Sequence, residues 1–273
     1  MIEVSVIIPT YKPNGYLWQC LDSLLSQTIQ KELYEIILVL NGPKEPYHDD
    51  IKQYSLKHEG GCSIRLLYST LAGVSNARNL AVDNAKGKYI CFIDDDDWVS
   101  DCYLELLLKA NRGTHGVVES NVLDYDEAHS VYKDDYLTSV YKKLTSESKD
   151  LSVLAARRLL SSSCCKLIPR EVIGTTTFNI DFKVGEDALF MAEISKDISH
   201  VSLSEPEAIY YRRLRTNSAS RASISSLSRI KNALRLCRQY IRIYLSSPTR
   251  YSLPFFINRL MAVAKITIKL TFS

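Results

Sequence analysis

The sequence predicts an α/β fold with a mainly parallel sheet, and three observations support that fold class. Short apolar, β-branched runs alternate with stretches of helical periodicity through the first part of the chain. Two of these runs end at proline or at Asn-Gly, and four consecutive aspartates follow another directly. Strands that alternate with helices pair in parallel through right-handed crossovers. We therefore expect the carboxyl ends of the strands to meet in one crevice.

The first predicted unit is a strand, a loop and a helix. Val4 to Ile8 is a β-branched run followed by Pro9. The next apolar residues fall on one helix face, at i, i+3, i+4, i+7 and i+8, and they are Leu17, Cys20, Leu21, Leu24 and Leu25. Glu35 to Leu40 then predicts a second buried strand, which Asn41, Gly42 and Pro43 end.

Two further strands and two helices continue this pattern to about residue 110. Ser63 to Tyr68 and Tyr89 to Ile93 predict the strands, and helices are expected at about Val74 to Ala85 and Tyr103 to Ala110. Beyond them the pattern weakens. The remaining expectations are a polar insertion at 124–150 that is flexible or binds a substrate, a helix at about 152–160, a short helix at 188–195, and a Ser-rich linker at 218–228.

Charge is distributed unevenly along the chain. The net charge is +3, but residues 1–207 carry 21 Lys and Arg against 31 Asp and Glu, whereas residues 208–273 carry 13 basic and no acidic residues. Two stretches of this basic part, at about 227–245 and 255–269, read as amphipathic helices and predict binding to an anionic membrane surface. Packing onto the acidic part of the chain or onto a second copy, as a homodimer, is the alternative. Nucleic acid is not expected, because the rest of the chain is acidic and lacks a recognised binding motif.

The chain shows no sign of export or of a membrane-spanning segment. Its start, Met1 to Glu3, lacks the features of a signal peptide, and no uncharged apolar span reaches about 18 residues. The seven cysteines include no CxxC pair, and several lie in apolar runs, as reduced thiols that pack as small hydrophobes do. We therefore expect a cytoplasmic protein, peripheral on the inner face of the cell membrane if the basic helices bind lipid.

The four aspartates, Asp94 to Asp97, follow the apolar run that ends at Ile93. Unit charges about 6 Å apart repel by roughly 3 kcal/mol at an effective dielectric of 20, so a positive partner should compensate them. If the strand continues through the cluster, Asp94 and Asp96 lie on one side and Asp95 and Asp97 on the other. Two carboxylates on one side can share Mg²⁺ or Mn²⁺, which typically also binds a substrate phosphate. A solvated acidic loop is the alternative.

Together these residues resemble the family 2 glycosyltransferases, which are inverting enzymes of the GT-A fold. The resemblance covers roughly residues 3–220 and rests on five segments in family order. They are Val4 to Tyr11, Gly73 to Asn79, Gly87 to Trp98, Gly185 to Asp187, and Tyr210 to Arg212. The resemblance implies a Rossmann-like nucleotide-sugar-binding half at 1–110, an acceptor-binding half that carries the catalytic base at 111–220, and a basic amphipathic helical tail at 221–273.

For the acid cluster the resemblance implies a metal and donor site. Asp94 and Asp96 would form the motif that contacts the ribose and a Mn²⁺ or Mg²⁺ ion, with Asp96 the more direct metal ligand. Asp97 could share the metal, because family members differ in how the run is registered. Asp95 has the weakest claim and is expected to be solvated or structural.

The Gly-Glu-Asp segment is implied to supply the catalytic base. An acceptor hydroxyl that attacks the anomeric carbon must lose its proton, so a carboxylate on the opposite side of the sugar should accept that proton. The resemblance favours Asp187 for this role, with Glu186 as the alternate or as an acceptor contact. Two acids in the first turn of a helix are also favoured by its dipole, so their presence alone does not establish catalysis.

Residues at the ends of the first two strands are implied to bind the nucleotide. Pro9, Thr10 and Tyr11 would frame the base. The family usually carries an Asp after its second strand to pair with uracil, whereas this chain has Asn41. An amide can both donate and accept hydrogen bonds, so Asn41 could replace the acid while changing the base preference. UDP remains the expected nucleotide.

Three arginines are candidates for binding the donor. Arg78 could reach the base, the diphosphate or the acid cluster, where it would supply the missing positive charge. Arg212 and Arg215 follow an aromatic pair and match a late family segment that often contacts the diphosphate. An ordinary exposed arginine on a helix is the alternative for Arg78.

The expected function is transfer of a sugar from a nucleotide-diphosphate sugar to a glycan or polyprenyl-linked acceptor, as in bacterial surface polysaccharide synthesis. Two other functional classes are alternatives to a glycosyltransferase. A Mg²⁺-dependent phosphoryl-transfer enzyme can also place acids at a strand end, but the haloacid dehalogenase pattern requires Gly and then Thr or Val after the DxD, and here Asp97 and Trp98 follow. A non-catalytic scaffold of the same fold would lack one of the functional carboxylates, and Asp94, Asp96 and Asp187 are all present.

Overall fold

The computed structural model describes residues 1–58, 62–111, 115–148, 150–215 and 225–272. The strands are β1 (Val4–Thr10), β2 (Tyr34–Asn41), β3 (Ser63–Ser69), β4 (Tyr89–Phe92), β5 (Trp98–Val99), β6 (Gly116–Glu119), β7 (Asn121–Asp126), β8 (Val131–Lys133), β9 (Asp150–Leu151), β10 (Lys166–Pro169), β11 (His200–Leu203) and β12 (Ile209–Leu214). The helices are α1 (Gly15–Leu25), α2 (Tyr47–Lys57), α3 (Val74–Asn84), α4 (Tyr103–Ala110), α5 (Tyr136–Glu147), α6 (Arg170–Ile173), α7 (Glu186–Ile194), α8 (Ser226–Ser246) and α9 (Leu253–Phe272).

The core of the molecule is an eight-stranded sheet with helices packed on it. Its strand order is β3-β2-β1-β4-β10-β6-β11-β9, and the first four strands are parallel. β10 runs antiparallel to both of its neighbours, β4 and β6. The α/β class and the mainly parallel arrangement of the first half are therefore confirmed. The sheet crosses the predicted boundary at residue 110, so the two predicted halves share one sheet.

β1 continues two residues further than its sequence predicts. Pro9 lacks a backbone N–H and was expected to end the strand, but β1 extends to Thr10 along β2. β4 pairs with β1 only as far as Ile7. Pro9 therefore lies beyond the part of β1 that pairs with β4, so its missing N–H removes no hydrogen bond between these two strands.

A second, four-stranded sheet holds the segment after the aspartates beside the late strand β12. Its order is β5-β12-β7-β8, with β12 parallel to β7 and antiparallel to β5. β5 begins at Trp98, directly after the acid cluster. The small sheet therefore places the acid cluster next to the arginines of β12.

In the middle of the chain the structure contradicts the flexible alternative for residues 124–150 and the helix expected at about 152–160. Most of residues 124–150 is regular structure: the end of β7, the β8 hairpin strand, and α5, whose start is closed by a reciprocal capping box between Asp135 and Thr138. Residues 152–160 form turns and a short 3-10 segment rather than a continuous helix. A high polar content hid the alternation of β7, of which only one face is buried.

The basic tail forms two long helices that pack on the body of the protein. Leu236, Tyr240 and Ile243 of α8 and Phe255 and Phe256 of α9 are buried. The expectation of helices is therefore confirmed, and the packing alternative holds for one face of each helix. Most of the predicted Ser-rich linker lies outside the described residues. Among the described helices, none combines the length and apolar character that crossing a bilayer requires.

Candidate active site

The four aspartates form a turn at the carboxyl end of β4. β4 ends at Phe92, and the backbone N–H of Asp97 donates to the carbonyl of Asp94 at 3.1 Å. The strand alternation expected through the cluster is therefore wrong. Each carboxylate meets a different partner, and these are Arg78 for Asp94, Thr10 for Asp95, Arg215 for Asp96, and Tyr210 for Asp97.

Arg78 supplies the positive partner that the acid cluster was expected to need. Its side chain is 3% exposed and lies against the rings of Phe92 and Phe178. One guanidinium nitrogen donates to Asp94 Oδ1 at 2.9 Å, and the other donates to Asp187 Oδ1 at 2.6 Å. Burial opposes the charge, but the Asp187 and Asp94 carboxylates outweigh it and raise the pKa of Arg78. The alternative of an ordinary exposed arginine is therefore wrong.

The candidate base residues open α7. Gly185 precedes them with φ of +92°, a backbone conformation that favours glycine, and a Cβ there would lie 2.9 Å from the Leu236 side chain of α8. Asp187 accepts from Arg78 and, at 3.0 Å, from the Ser163 hydroxyl. Burial and the neighbouring Asp187 charge raise the pKa of Glu186 to about 7. Both acids therefore border the same buried cation.

Asp95 and Asp97 each form hydrogen bonds with other protein groups. Asp95 was expected to be solvated or structural, and its hydrogen bond with Thr10 of β1 makes it structural. Asp97 was a candidate metal ligand, but it is 5% exposed and both of its oxygens accept protein hydrogen bonds, from the Tyr210 hydroxyl at 2.7 Å and the Arg213 amide at 2.8 Å. These two hydrogen bonds give Asp97 a structural role in the turn that does not depend on a metal.

Asp94 and Asp96 fit the donor set of a hard divalent cation. Both offer carboxylate oxygens, and in each an ion pair engages one oxygen, with Arg78 or with Arg215. Burial and the charge of Asp94 raise the pKa of Asp96. Within the described ranges no group of three His, Cys, Asp or Glu side chains could hold a metal ion. A cation here would therefore need further oxygen ligands from a bound substrate.

The arginines of β12 alternate between the two faces of the small sheet. Arg212 was expected to bind the donor diphosphate, but its side chain pairs with Asp124 and Asp135, away from the acid turn. Arg213 and Arg215 point the other way, where Arg215 pairs with Asp96. The period-2 geometry of a strand separates adjacent residues in this way.

Arg213 is the residue of this site that sequence reasoning missed. Its guanidinium lies 4.4 Å from the Tyr16 ring centroid and 4.6 Å from that of Trp98, and it donates to the Asp96 carbonyl at 2.9 Å. The signal was available, because Arg213 lies two residues before Arg215, and in an extended chain such residues share a face. The Trp98 ring also stacks on Tyr211.

The predicted base-binding residues lie together at the ends of β1 and β2. The Tyr11 ring is 51% exposed and covers Gly42 so closely that a Cβ there would lie 2.5 Å from the ring. Asn41 is buried. Its amide donates to the Thr10 carbonyl at 2.7 Å and accepts from the Gly73 amide at 2.9 Å. The amide that was expected to pair with the base thus bonds to the backbone at the end of β1 and before α3.

Residues 5–173 match the sequence profile described as Glycosyl transferase family 2. The chain belongs to glycosyl transferase family 2. Similar curated proteins include the glycosyltransferase GlyA of Streptococcus pneumoniae, 28% identical over 80% of this chain and 32% of its own length, and a poly(ribitol-phosphate) beta-glucosyltransferase of Bacillus spizizenii, 27% identical over 77% of this chain and 32% of its own length. The chain thus spans about a third of these family 2 relatives.

Solved structures of similar fold include two glycosyltransferase complexes. TarS 1-349 of S. aureus in complex with UDP-GlcNAc has a TM-score of 0.73 and 20% identity, and the match covers 89% of this chain and 67% of that one. The mannosyltransferase PcManGT of Pyrobaculum calidifontis, in complex with GDP-Man and Mn²⁺, has a TM-score of 0.65 and 16% identity over 97% of this chain and 69% of that one. At these identities the likeness concerns the fold, and it confirms the predicted GT-A architecture.

Proposed function

We propose that this family 2 member is an inverting glycosyltransferase that moves a sugar from a nucleotide-diphosphate sugar to a hydroxyl of a glycan acceptor. The observation that carries the proposal is the Arg78 bridge. One buried guanidinium binds Asp94 of the acid turn and Asp187 at the start of α7. The bridge holds a donor-side carboxylate and a candidate base close to one cation in the same crevice, and direct displacement at a sugar carbon needs a base and a donor-binding group within one site.

Asp187 is proposed as the general base. Its Oδ1 is fixed by Arg78 and Ser163, and Oδ2 is left as the oxygen that can take the proton from an acceptor hydroxyl. Attack by that hydroxyl forms the new glycosidic bond on the side opposite the departing diphosphate, so the configuration inverts. Glu186 lies beside this position, and its pKa of about 7 makes it the alternate base.

Asp94 and Asp96 are proposed to hold Mn²⁺ or Mg²⁺ together with the donor diphosphate. When bound, the cation would neutralise charge that develops on the leaving diphosphate. PcManGT, a structure of similar fold, is described in complex with Mn²⁺. Arg215 pairs with Asp96, so it is the protein cation nearest to this carboxylate and a candidate contact for the diphosphate.

A UDP-sugar is the proposed donor. The Tyr11 ring over Gly42 offers an exposed aromatic face for a nucleotide base at the end of β1. TarS, a structure of similar fold, is described in complex with UDP-GlcNAc. Because Asn41 is engaged by backbone groups, we propose that the backbone at the strand ends, rather than this side chain, recognises the base.

The proposed acceptor is a glycan or lipid-linked glycan of a bacterial surface polymer, used at the cytoplasmic face of the cell membrane. Relatives of this chain include the Minor teichoic acid biosynthesis protein GgaB of Bacillus subtilis, 26% identical over 80% of this chain. The basic tail supports a location at an anionic membrane surface, since residues 208–273 carry 13 basic and no acidic side chains.

The proposal is tested by the variant Asp187→Asn, assayed with UDP-GlcNAc and Mn²⁺. We expect transfer to fall roughly 10²- to 10⁴-fold, because the amide cannot accept the proton. UDP binding, measured by calorimetry, should stay near the wild-type value, and EDTA should abolish it in both proteins. The matched control is Asp83→Asn on the exposed side of α3, which should transfer at the wild-type rate.

Two outcomes would contradict the proposed roles. Retained transfer by Asp187→Asn together with loss in Glu186→Gln would assign the base to Glu186. UDP binding and transfer that are the same in EDTA as in Mn²⁺ would remove the metal from the proposal while leaving the base assignment intact.

A further inference from the structure

The outer face of α8 carries a narrow apolar stripe. Five of its large apolar side chains are exposed, and they are Leu227, Ile230, Leu234, Ile241 and Leu245. At 100° per residue these positions fall within about 60° of the helix circumference. Leu234, which is 67% exposed, lies at the middle of the stripe. Chance scatter of surface apolar residues does not predict such an alignment over more than four turns.

The stripe lies opposite the face by which α8 packs on the protein. Leu236, Tyr240 and Ile243 are buried, and on the helix circumference they lie about 110° to 170° from the centre of the stripe. The packed side is also held by polar bonds, from Asn232 to the Val184 carbonyl and from Arg235 to the Asp181 carbonyl. Packing onto the protein thus accounts for one face of α8 and leaves the apolar stripe unexplained.

Basic side chains border the stripe along one side. Lys231, Arg238 and Arg242 are exposed, and in the described part of the chain none of them pairs with a carboxylate. Residues 208–273 contain no acidic residue at all. A second copy that docked stripe to stripe would bring these like charges together, whereas an anionic lipid surface would neutralise them.

We infer that α8 lies in the plane of an anionic membrane, with the five apolar side chains among the lipid acyl chains and Lys231, Arg238 and Arg242 at the headgroups. Its buried face stays on the protein, so docking requires no unfolding of the tail. This inference gives a surface to the membrane location proposed above, and its test does not depend on catalysis.

The test is sedimentation of the full chain with vesicles made of equal parts phosphatidylglycerol and phosphatidylcholine. Leu234→Gln with Ile241→Gln should lower the vesicle partition coefficient roughly 10-fold or more, because it removes the centre of the stripe. Lys231→Gln with Arg238→Gln should lower it roughly 5-fold for each charge removed, and high salt should weaken wild-type binding in the same way. The thermal midpoints of both variants should match the wild type.

The matched control is Leu56→Gln with Lys57→Gln, which alters an exposed leucine and an exposed lysine on α2. It should sediment like the wild type. Equal sedimentation of the stripe variant and the wild type would overturn the inference. So would wild-type self-association, measured by analytical ultracentrifugation, that the stripe variant abolishes while neither protein binds vesicles. UDP release from UDP-GlcNAc without vesicles tests the catalytic proposal separately.

Discussion

Two buried cations in this molecule pair with carboxylates, but they do so in different surroundings. Lys166 of β10 contacts Glu119 of β6 at 2.9 Å, and both side chains are 1% exposed. Arg78 of α3 is equally buried, yet its partners Asp94 and Asp187 are 43% and 22% exposed. The first pair is closed on all sides, whereas the second opens through its carboxylates into the crevice at the strand ends.

We propose that this difference separates a structural ion pair from a functional one. A closed pair can contribute only to the folded state, because nothing outside the protein reaches it. The partners of Arg78 keep carboxylate surface for a substrate, so the same charge chemistry can position reacting groups. Removing Lys166 should therefore affect mainly stability, and altering Arg78 should affect mainly transfer.

The largest effect is expected for Lys166→Met. The substitution leaves the Glu119 carboxylate buried without its cation, which costs about 3–5 kcal/mol in the free energy of unfolding. Urea unfolding followed by circular dichroism would measure it. The double variant Lys166→Met with Glu119→Leu should recover most of the loss, since an apolar pair of similar volume leaves no uncompensated charge.

The matched control for this pair is Lys88→Met, because Lys88 pairs with Glu3 on the surface at 2.7 Å. Solvent screens an exposed pair, so its unfolding midpoint should barely move. If Lys166→Met lowered the free energy of unfolding no more than Lys88→Met does, the distinction between closed and open ion pairs would be contradicted.

A smaller effect, on transfer rather than stability, is expected for Arg78→Lys. Lysine keeps the charge but cannot bind two carboxylates with a planar fork, so Asp187 loses its fixed position. We expect kcat to fall roughly 10²-fold, because small misplacements of reacting groups cost about that much in rate. The KM for the donor should change much less. Steady-state kinetics with thermal melts would separate this result from simple destabilisation.

Arg65→Lys provides the comparison for Arg78→Lys. Arg65 also pairs with a buried carboxylate, Glu35 at 2.9 Å, but near the amino ends of β3 and β2, whereas the acid turn follows the carboxyl end of β4. Its kcat should match the wild type. A uniform loss in both variants would indicate a general effect of replacing arginine and would remove the positioning role of Arg78.

The fold was predictable wherever the hydrophobic pattern was local. β1 to β4, α1 and α4 follow from runs and periodicity that a reader can count along the sequence. β7 and α5 did not, because their burial depends on partners distant in the chain: β12 lies beside β7, and Val122 accepts the bond from Thr138. Charge and polarity along 124–150 favoured a loop, and tertiary packing overrode that preference.

The site was predictable by residue type and less so by partner. Asp94, Arg78 and Asp187 converge as their motifs suggested, because strand ends and helix starts gather at one edge of a parallel sheet. The face on which a side chain lies was the least predictable feature of the site. The aspartates form a turn instead of alternating, and Arg213 rather than Arg212 lies beside them. Both outcomes depend on where β4 ends and on how β12 registers with β7.

The smallest effect is expected for Asn41→Asp, which restores the acid usual in the family. A carboxylate can still accept from the Gly73 amide, but it cannot donate to the Thr10 carbonyl and instead places oxygen against oxygen. We expect a loss of about 1–3 kcal/mol in unfolding free energy, with unchanged preference for UDP over GDP in calorimetry. Asn84→Asp, which loses a similar bond to the Leu80 carbonyl at a partly exposed site, should lose less. A switch in nucleotide preference without any loss of stability would show that Asn41 contacts the base, and the strand ends would then belong to the open, functional part of the molecule rather than to its closed framework.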